Sequence, residues 1–296
     1  MEQSIDDTAL NKQPNPRTER WKNFYGKLKK NKAAMIGGFL ILFFIVASLI
    51  GPFFTPYAPD TQDLPNKLAS PSLDHWFGTD HLGRDIFSRI IHGMKLTLYI
   101  GFSSVVLGAT VGVLLGIISG YYGKQIDTII MRVMDVLLAF PGILLALAIV
   151  SVLGPSLNNV IIAVAIFSVP VFARIVGGST LEVKNLEYVD AIKALGASDM
   201  RVIFKHILPN VTSPLIVQAT LNIATAVLAA SGLSFLGLGA QPPMPEWGAM
   251  LSDGRNYLFN APHVAFFPGV AIVIVVLAFN ILGDGLRDAL DPKMKL

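Results

Sequence analysis

The chain contains no cysteine. That removes a disulfide scaffold, a thiolate metal site and a cysteine nucleophile at once. Charge is scarce as well: 15% of the 296 residues are Asp, Glu, Lys or Arg, against roughly a quarter in a soluble domain. No GxxxxGK[ST] run occurs, so the chain cannot cradle a nucleotide's phosphates by that route. A signal-peptide cleavage pattern is absent from residues 1–32, where Lys27, Lys29, Lys30 and Lys32 read as an anchor before a retained first helix. No HExxH-type face and no series of acidic or histidine residues runs through the apolar stretches, which argues against a metallohydrolase and a proton relay.

What the chain does have is long apolar runs, with 53% hydrophobic residues overall. Five windows are free of Asp, Glu, Lys and Arg: 33–59, 96–123, 136–173, 210–245 and 256–283. Each is longer than the roughly 20 residues a helix needs to cross the hydrocarbon core. The third is too long for one helix and carries GPSLNN at 154–159, a turn signal, so it reads as two spans. The expectation is an all-α, polytopic membrane protein of six transmembrane helices, near 33–54, 96–121, 131–153, 160–177, 215–237 and 264–283. Pro141 should kink the third.

Basic residues favour the cytoplasmic side. With the N-terminus inside, 18 of the 23 Lys and Arg fall on inner segments and only Lys67, Arg84, Arg89, Lys95 and Arg255 outside. Both termini are therefore expected in the cytoplasm. Residues 1–20 read as a disordered tail. The aromatic and basic residues of 21–32 suit either a membrane-surface helix or a topology signal alone.

Some features within this frame have more than one reading. Gly108, Gly112, Gly116 and Gly120 recur every fourth residue and line one helix face, as close helix packing requires; a gate is the alternative. Arg132 and Asp135, three apart, could neutralise each other as a structural pair at the inner rim of the third span; a role in the translocation path is the alternative. His75, His81 and His92 lie among Asp74, Asp80 and Asp85, but the spacing is irregular and no metal site is expected.

The segment EYVDAIKALGASDMRVIFKHILPN, 187–210, is a charged island between apolar runs. It reads as two short helices joined at Gly196 and stopped at Pro209, with Val189, Ile192 and Leu195 as the apolar face of the first. A soluble loop of this kind suits docking of a partner. It resembles the EAA loop of permease subunits from binding-protein-dependent ABC importers, with Asp190, Ala191, Gly196, Leu208 and Pro209 on the family pattern. Asp190 stands where that pattern has Glu, Ile192 where it has a second Ala, and the isoleucine comes one position late as Ile207.

Two further segments carry the same resemblance. FGTDHLGRDIFSRIIHG places Thr79, Asp80, Gly83, Arg84, Asp85 and Ser88 on the pattern that precedes the second span in peptide permeases. QPPMPEWGAMLSDGR, 241–255, is similar to the last external loop, through Glu246, Trp247, Gly248, Met250 and Leu251. Physically, that Pro-braced loop could receive a soluble binding protein or pack as a lid on neighbouring helices.

The chain thus resembles the dipeptide, oligopeptide and nickel family of ABC importer permeases, of the DppC/OppC type. The resemblance implies the type I importer permease fold: a tail at 1–32, a first span and extracytoplasmic loop at 33–95, and a five-helix core at 96–290 holding the coupling loop at 182–210. It implies a transport subunit rather than an enzyme, in the bacterial cytoplasmic membrane, without cofactor of its own, ATP being bound by partners. Those partners are a second permease, two cytoplasmic ATPases and an extracytoplasmic peptide-binding protein, with no nucleic acid. Asp190, Ala191, Gly196, Ala197, Leu208 and Pro209 would meet the ATPase, and Glu246, Trp247 and Gly248 the binding protein. Di- or oligopeptides are the expected cargo, with nickel, glutathione or another small solute as the alternative. Asn158, Asn159, Gln218 and Asn222 do not encode a side-chain preference. A secondary transporter would need repeated halves or an ion relay, and an intramembrane enzyme a catalytic constellation; neither is visible.

Overall fold

The computed structural model describes residues 26 and 28–290. The polar tail and half of the 21–32 surface segment expected before the first span lie outside them. Among the described residues the structure is helical, with a lone antiparallel bridge between Thr79 and Asp85 in place of strands. Five helices are long and apolar enough to cross a membrane, and a bent pair supplies a sixth candidate span.

The first helix, α1 (Lys32–Ile50), starts where the Asn31 side chain accepts the Ala34 N–H at 3.1 Å, satisfying one of the donors a helix leaves open at its start. The second, α2 (Ile86–Tyr122), begins ten residues before the expected Leu96. Counting charges cut it short at Lys95. In the fold, Asp85 caps it by accepting the Ser88 N–H at 2.7 Å, and Ile86, Ile90 and Met94 of the added turns are core residues.

The third span departs most from expectation. It is two helices, α3 (Lys124–Leu138) and α4 (Gly142–Leu153), bent by 88° at the break. Pro141 cannot donate a backbone bond and disfavours helix at Phe140; its own carbonyl instead accepts the N–H groups of Leu144 and Leu145, opening α4. The next helix, α5 (Leu157–Lys184), is capped by Ser156 after the expected turn.

The loop holds α6 (Glu187–Ala194) and α7 (Asp199–Val202), and the last two long helices are α8 (Leu208–Phe235) and α10 (His263–Leu290), with the short α9 (Trp247–Gly254) between them. Pro209 does not stop the chain as expected. It sits in the first turn of α8, where a missing N–H costs little, and α7 runs into α8 through a π turn at Ile203–Ile207. The widened turn lets the Leu208 N–H reach the Ile203 carbonyl, so Asp199–Phe235 is one long span.

Helices α2 and α5 pack backbone to backbone along the glycine stripe. A Cβ built on Gly108 would lie 2.8 Å from the Ala165 carbonyl oxygen, on Gly112 2.5 Å from the Phe172 Cβ, on Gly116 2.6 Å from the Ala173 carbonyl oxygen, and on Gly120 2.5 Å from the Gly177 carbonyl oxygen. All four glycines are buried. Packing, not a gate, accounts for the repeat.

The 51–85 loop folds onto one end of the bundle around a buried ionic knot. Asp80 accepts the Leu82 and Arg84 N–H groups and the Arg84 Nε at 2.6 Å. Arg89 donates to the Pro59 carbonyl at 2.7 Å, and Arg84 reaches Asp253 of α9 at 3.4 Å. Such a knot satisfies charges that would otherwise be costly to bury. Of the candidate metal ligands, Asp80 is held by Arg84, His75 pairs with Asp85 at 3.0 Å and His92 bonds the Ser88 carbonyl, while the buried His81 Nδ1 has no protein partner among the described residues. Among the described residues no three His, Asp or Glu side chains are grouped as a metal would need.

Candidate coupling loop and opposite lid

The 187–210 loop is joined to the spans by a hydrophobic cluster. Val189, Val202, Ile203 and Ile207 are buried with Ile117, Tyr121 and Val176 of α2 and α5, and Ile192 and Ala197 pack against them. The expected turn at Gly196 is present in detail. The Gly196 N–H bonds the Lys193 carbonyl and the Ala197 N–H the Ile192 carbonyl, the paired bonds of a helix closed by a left-handed residue. Gly196 has φ +82°, a conformation glycine adopts without cost.

The apolar face of α6 is narrower than the spacing suggested. Val189 is buried and Ile192 half-buried, but Leu195 is 88% exposed. Leu195 is the helix's last cap residue, where the turn swings its side chain away, and Ala197 packs inward instead. Leu195, Met200 and Phe204 thus join the exposed Asp190, Ala191, Gly196 and Pro209 on the loop's outer surface, while Leu208 is half-buried beneath it. The sequence carried a trace of this in Met200 and Phe204, apolar residues four apart in an otherwise charged segment.

A second link between loop and spans is polar and was not anticipated. The Tyr121 hydroxyl, at the end of α2, donates to Asp199 at 2.6 Å. Lys184 donates to the Tyr121 carbonyl at 2.6 Å, and the Lys184 and Lys193 ammonium groups lie 5.7 and 5.0 Å from the centre of its ring, within cation–π range. One buried tyrosine therefore ties together the end of α5, both loop helices and α2. The loop is thus tied to two spans by both apolar and polar contacts.

At the other end of the bundle, Glu246, Trp247 and Gly248 are all buried. They do not form an exposed surface. The Trp247 indole N–H donates to the Ile90 carbonyl at 3.0 Å, and its ring stands edge-on to Phe44 of α1. Glu246 caps α9, accepting the Gly248 and Ala249 N–H groups at 3.0 and 2.9 Å. Burial pushes its carboxyl above the usual carboxylate range, against the opposing pull of those two N–H groups and of the nearby Ser234 and Ser231 hydroxyls. Gly248 lies against the Ser231 backbone, too close for any side chain. Of the two readings of this segment, the geometry is that of a lid, because its aromatic and acid are spent on holding α9 over α1, α2 and α8.

The other expected pair is also rearranged. Asp135 bonds Arg174 of α5 at 2.5 Å, not Arg132 of its own helix. Helices α3 and α5 pack together here through Met134, Val169 and Ala173, which brings Arg174 within reach of the carboxylate.

Residues 112–296 match the family model for binding-protein-dependent transport system inner membrane components, and residues 19–71 match the N-terminal TM domain of oligopeptide transport permease C. The chain belongs to this family of permeases. It is 52% identical over 275 residues to the dipeptide transport system permease protein DppC of Alkalihalophilus pseudofirmus, covering 93% of this chain and 90% of that one. It is 49% identical over 292 residues to the glutathione transport system permease protein GsiD of an Escherichia coli strain, covering 97% of this chain and 96% of the relative. Among solved structures, an inward-facing MetNI methionine ABC transporter chain aligns with a TM-score of 0.56 at 22% identity, over 70% of this chain and 98% of its own. The fold is that of a type I ABC importer permease, and this permease is a multi-pass inner membrane protein of the dipeptide and glutathione group.

Proposed function

We propose that this permease moves di- and oligopeptides across the cytoplasmic membrane as one half of a permease pair, powered by two cytoplasmic ATPases and supplied by an extracytoplasmic peptide-binding protein. The observation that carries this reading is the 187–210 loop. It presents an exposed apolar and charged surface outward while Val189, Val202 and Tyr121 lock it to α2 and α5. That is what a subunit with no phosphate loop needs if force arises elsewhere. ATP would be bound by the partners, and this chain would catalyse nothing itself. Coupling needs an element that both sites bias, and the Gly196 turn with the Tyr121 knot supplies it. The peptide assignment is supported by the dipeptide permease relative at 52% identity. Glutathione, itself a short peptide, is the second reading, supported by the relative at 49%.

Reconstituted with its partner permease, ATPases and binding protein, the complex should take up labelled dipeptide in vesicles only with ATP. Excess unlabelled dipeptide should compete better than glutathione. Preferential competition by glutathione would move the cargo to the second reading, and uptake driven by a proton gradient without the ATPases would defeat the coupling.

The orientation has its own test, made simple by the absence of native cysteine. Single cysteines at Asp190, in the loop, and at Phe259, fully exposed at the opposite end, should react oppositely with an impermeant reagent in wall-stripped cells. Phe259→Cys should label and Asp190→Cys should not; the reverse pattern would invert the topology.

A further inference from the structure

The Asp135–Arg174 pair is out of place on a lipid-facing surface. Its side chains are 61% and 56% exposed, although it joins two membrane helices. Helix α5 has 28 residues, about 42 Å at its normal rise, against about 30 Å of hydrocarbon, so an upright, centred helix projects roughly 6 Å at each end. Arg174 precedes Lys184, the end of α5, by ten residues, about 15 Å along the axis, which sets it roughly 9 Å inside the hydrocarbon boundary. Charges at such depth face a water-filled cavity or protein, because lipid cannot solvate them.

Open space and further polar groups lie near the pair, among apolar residues such as Val136 and Leu181. One turn on from Arg174, Gly178 is exposed and a side chain there would meet nothing within 4 Å; Glu182, a further turn on, is also exposed. Ile175, beside Arg174, borders an open groove of about 450 Å³ whose walls are mostly apolar, through Pro214, Val217, Leu221 and Leu290, with Ser213 and Gln218 of α8 and Arg287 of α10 among them. Polar groups from four helices, α3, α5, α8 and α10, thus lie on or beside one uncovered face.

We propose that this face, centred on Asp135 and Arg174, lines the water-filled route that the solute follows between this chain and its partner permease. The inference rests on the paired-permease reading above. Its chemistry suits zwitterionic cargo, since the guanidinium can meet a terminal carboxylate and the Asp135 carboxylate a terminal ammonium as the cargo passes. The opposite side of α3, with Val133 exposed and apolar, faces lipid.

The test uses the full complex carrying single cysteines. Gly178→Cys fills open space, and Val133→Cys lies two residues from Asp135, on the far side of the helix turn. A charged, impermeant methanethiosulfonate should modify Gly178→Cys at least about tenfold faster than Val133→Cys, because a thiol in water ionises and one in lipid does not. Modification at Gly178 should also block ATP-driven dipeptide uptake. Equal or slower labelling of Gly178→Cys, with a lipid-soluble maleimide reaching both, would overturn the proposal, as would full uptake by the modified protein. As a second variant, Arg174→Ala should raise the KM for a zwitterionic dipeptide several-fold more than for one with a blocked C-terminus; equal changes would reduce the pair to a structural tie. Labelling reads the assembled complex whether or not peptides are the cargo, so failure of this inference can be told from failure of the substrate assignment.

Discussion

Replacing Gly112 with leucine should abolish accumulation of folded permease in the membrane. The added Cβ alone would sit 2.5 Å from the Phe172 Cβ and 2.7 Å from the Val169 carbonyl oxygen, and backbone cannot rotate aside. Helices α2 and α5 would have to part along the stripe, losing the contacts of Gly108, Gly116 and Gly120 as well. Even Gly112→Ala should cost about 1–3 kcal/mol, the usual penalty for overpacking. Gly178→Ala on α5 is the control, since nothing lies within 4 Å of its Cβ, and alanine there should be neutral or slightly stabilising. The measurement is the amount of monodisperse protein recovered in detergent and its unfolding temperature. Normal recovery of Gly112→Leu would show that the two helices are not packed as described.

The second large effect separates folding from coupling. Gly196→Asp should insert and assemble normally yet lower ATP-driven uptake by about tenfold or more, because a charge would be forced into the docked corner without a partner. Within this chain the substitution meets no atom within 4 Å, so the strain is limited to the backbone at φ +82°. That conformation costs most residues about 1–2 kcal/mol, and Asp and Asn less than others. Gly196→Asn is therefore the matched variant, equal in strain and lacking the charge. If the loop docks an ATPase, uptake should fall further for Asp than for Asn, while protein levels match. Equal, near-normal uptake by both variants would remove the Gly196 corner from the coupling surface.

Much of this protein was legible in its sequence, and the legible parts share a cause. Bilayer thickness fixes the length of an apolar helix, so the spans could be counted from charge-free windows such as 256–283, and the GPSLNN turn divided the long one. Glycines four apart can serve only one helix face, and they do. Gly196 is likewise a local requirement, set by one backbone angle. The helix boundaries were less legible where charge is neutralised by something distant. Lys95 marked a false start for the second span: it is exposed on a helix that begins earlier, and Arg89 in the added turns is buried and satisfied by Pro59, thirty residues away.

The tertiary structure alone decided how the elements meet. Pro141 announced a bend, but an 88° break depends on what each half packs against. Pro209 looked like a stop, and the chain instead widened one turn and continued. Trp247 and Glu246 looked available to a partner, and the fold spent them on the Ile90 carbonyl and the cap of α9. Asp135 had a near partner in Arg132 and took a far one in Arg174. Tyr121, which binds the loop to two spans, carries no local signal. In each case spacing along the chain determined which conformations a segment could adopt, while the choice among partners followed from burial and hydrogen-bond geometry between residues far apart in sequence.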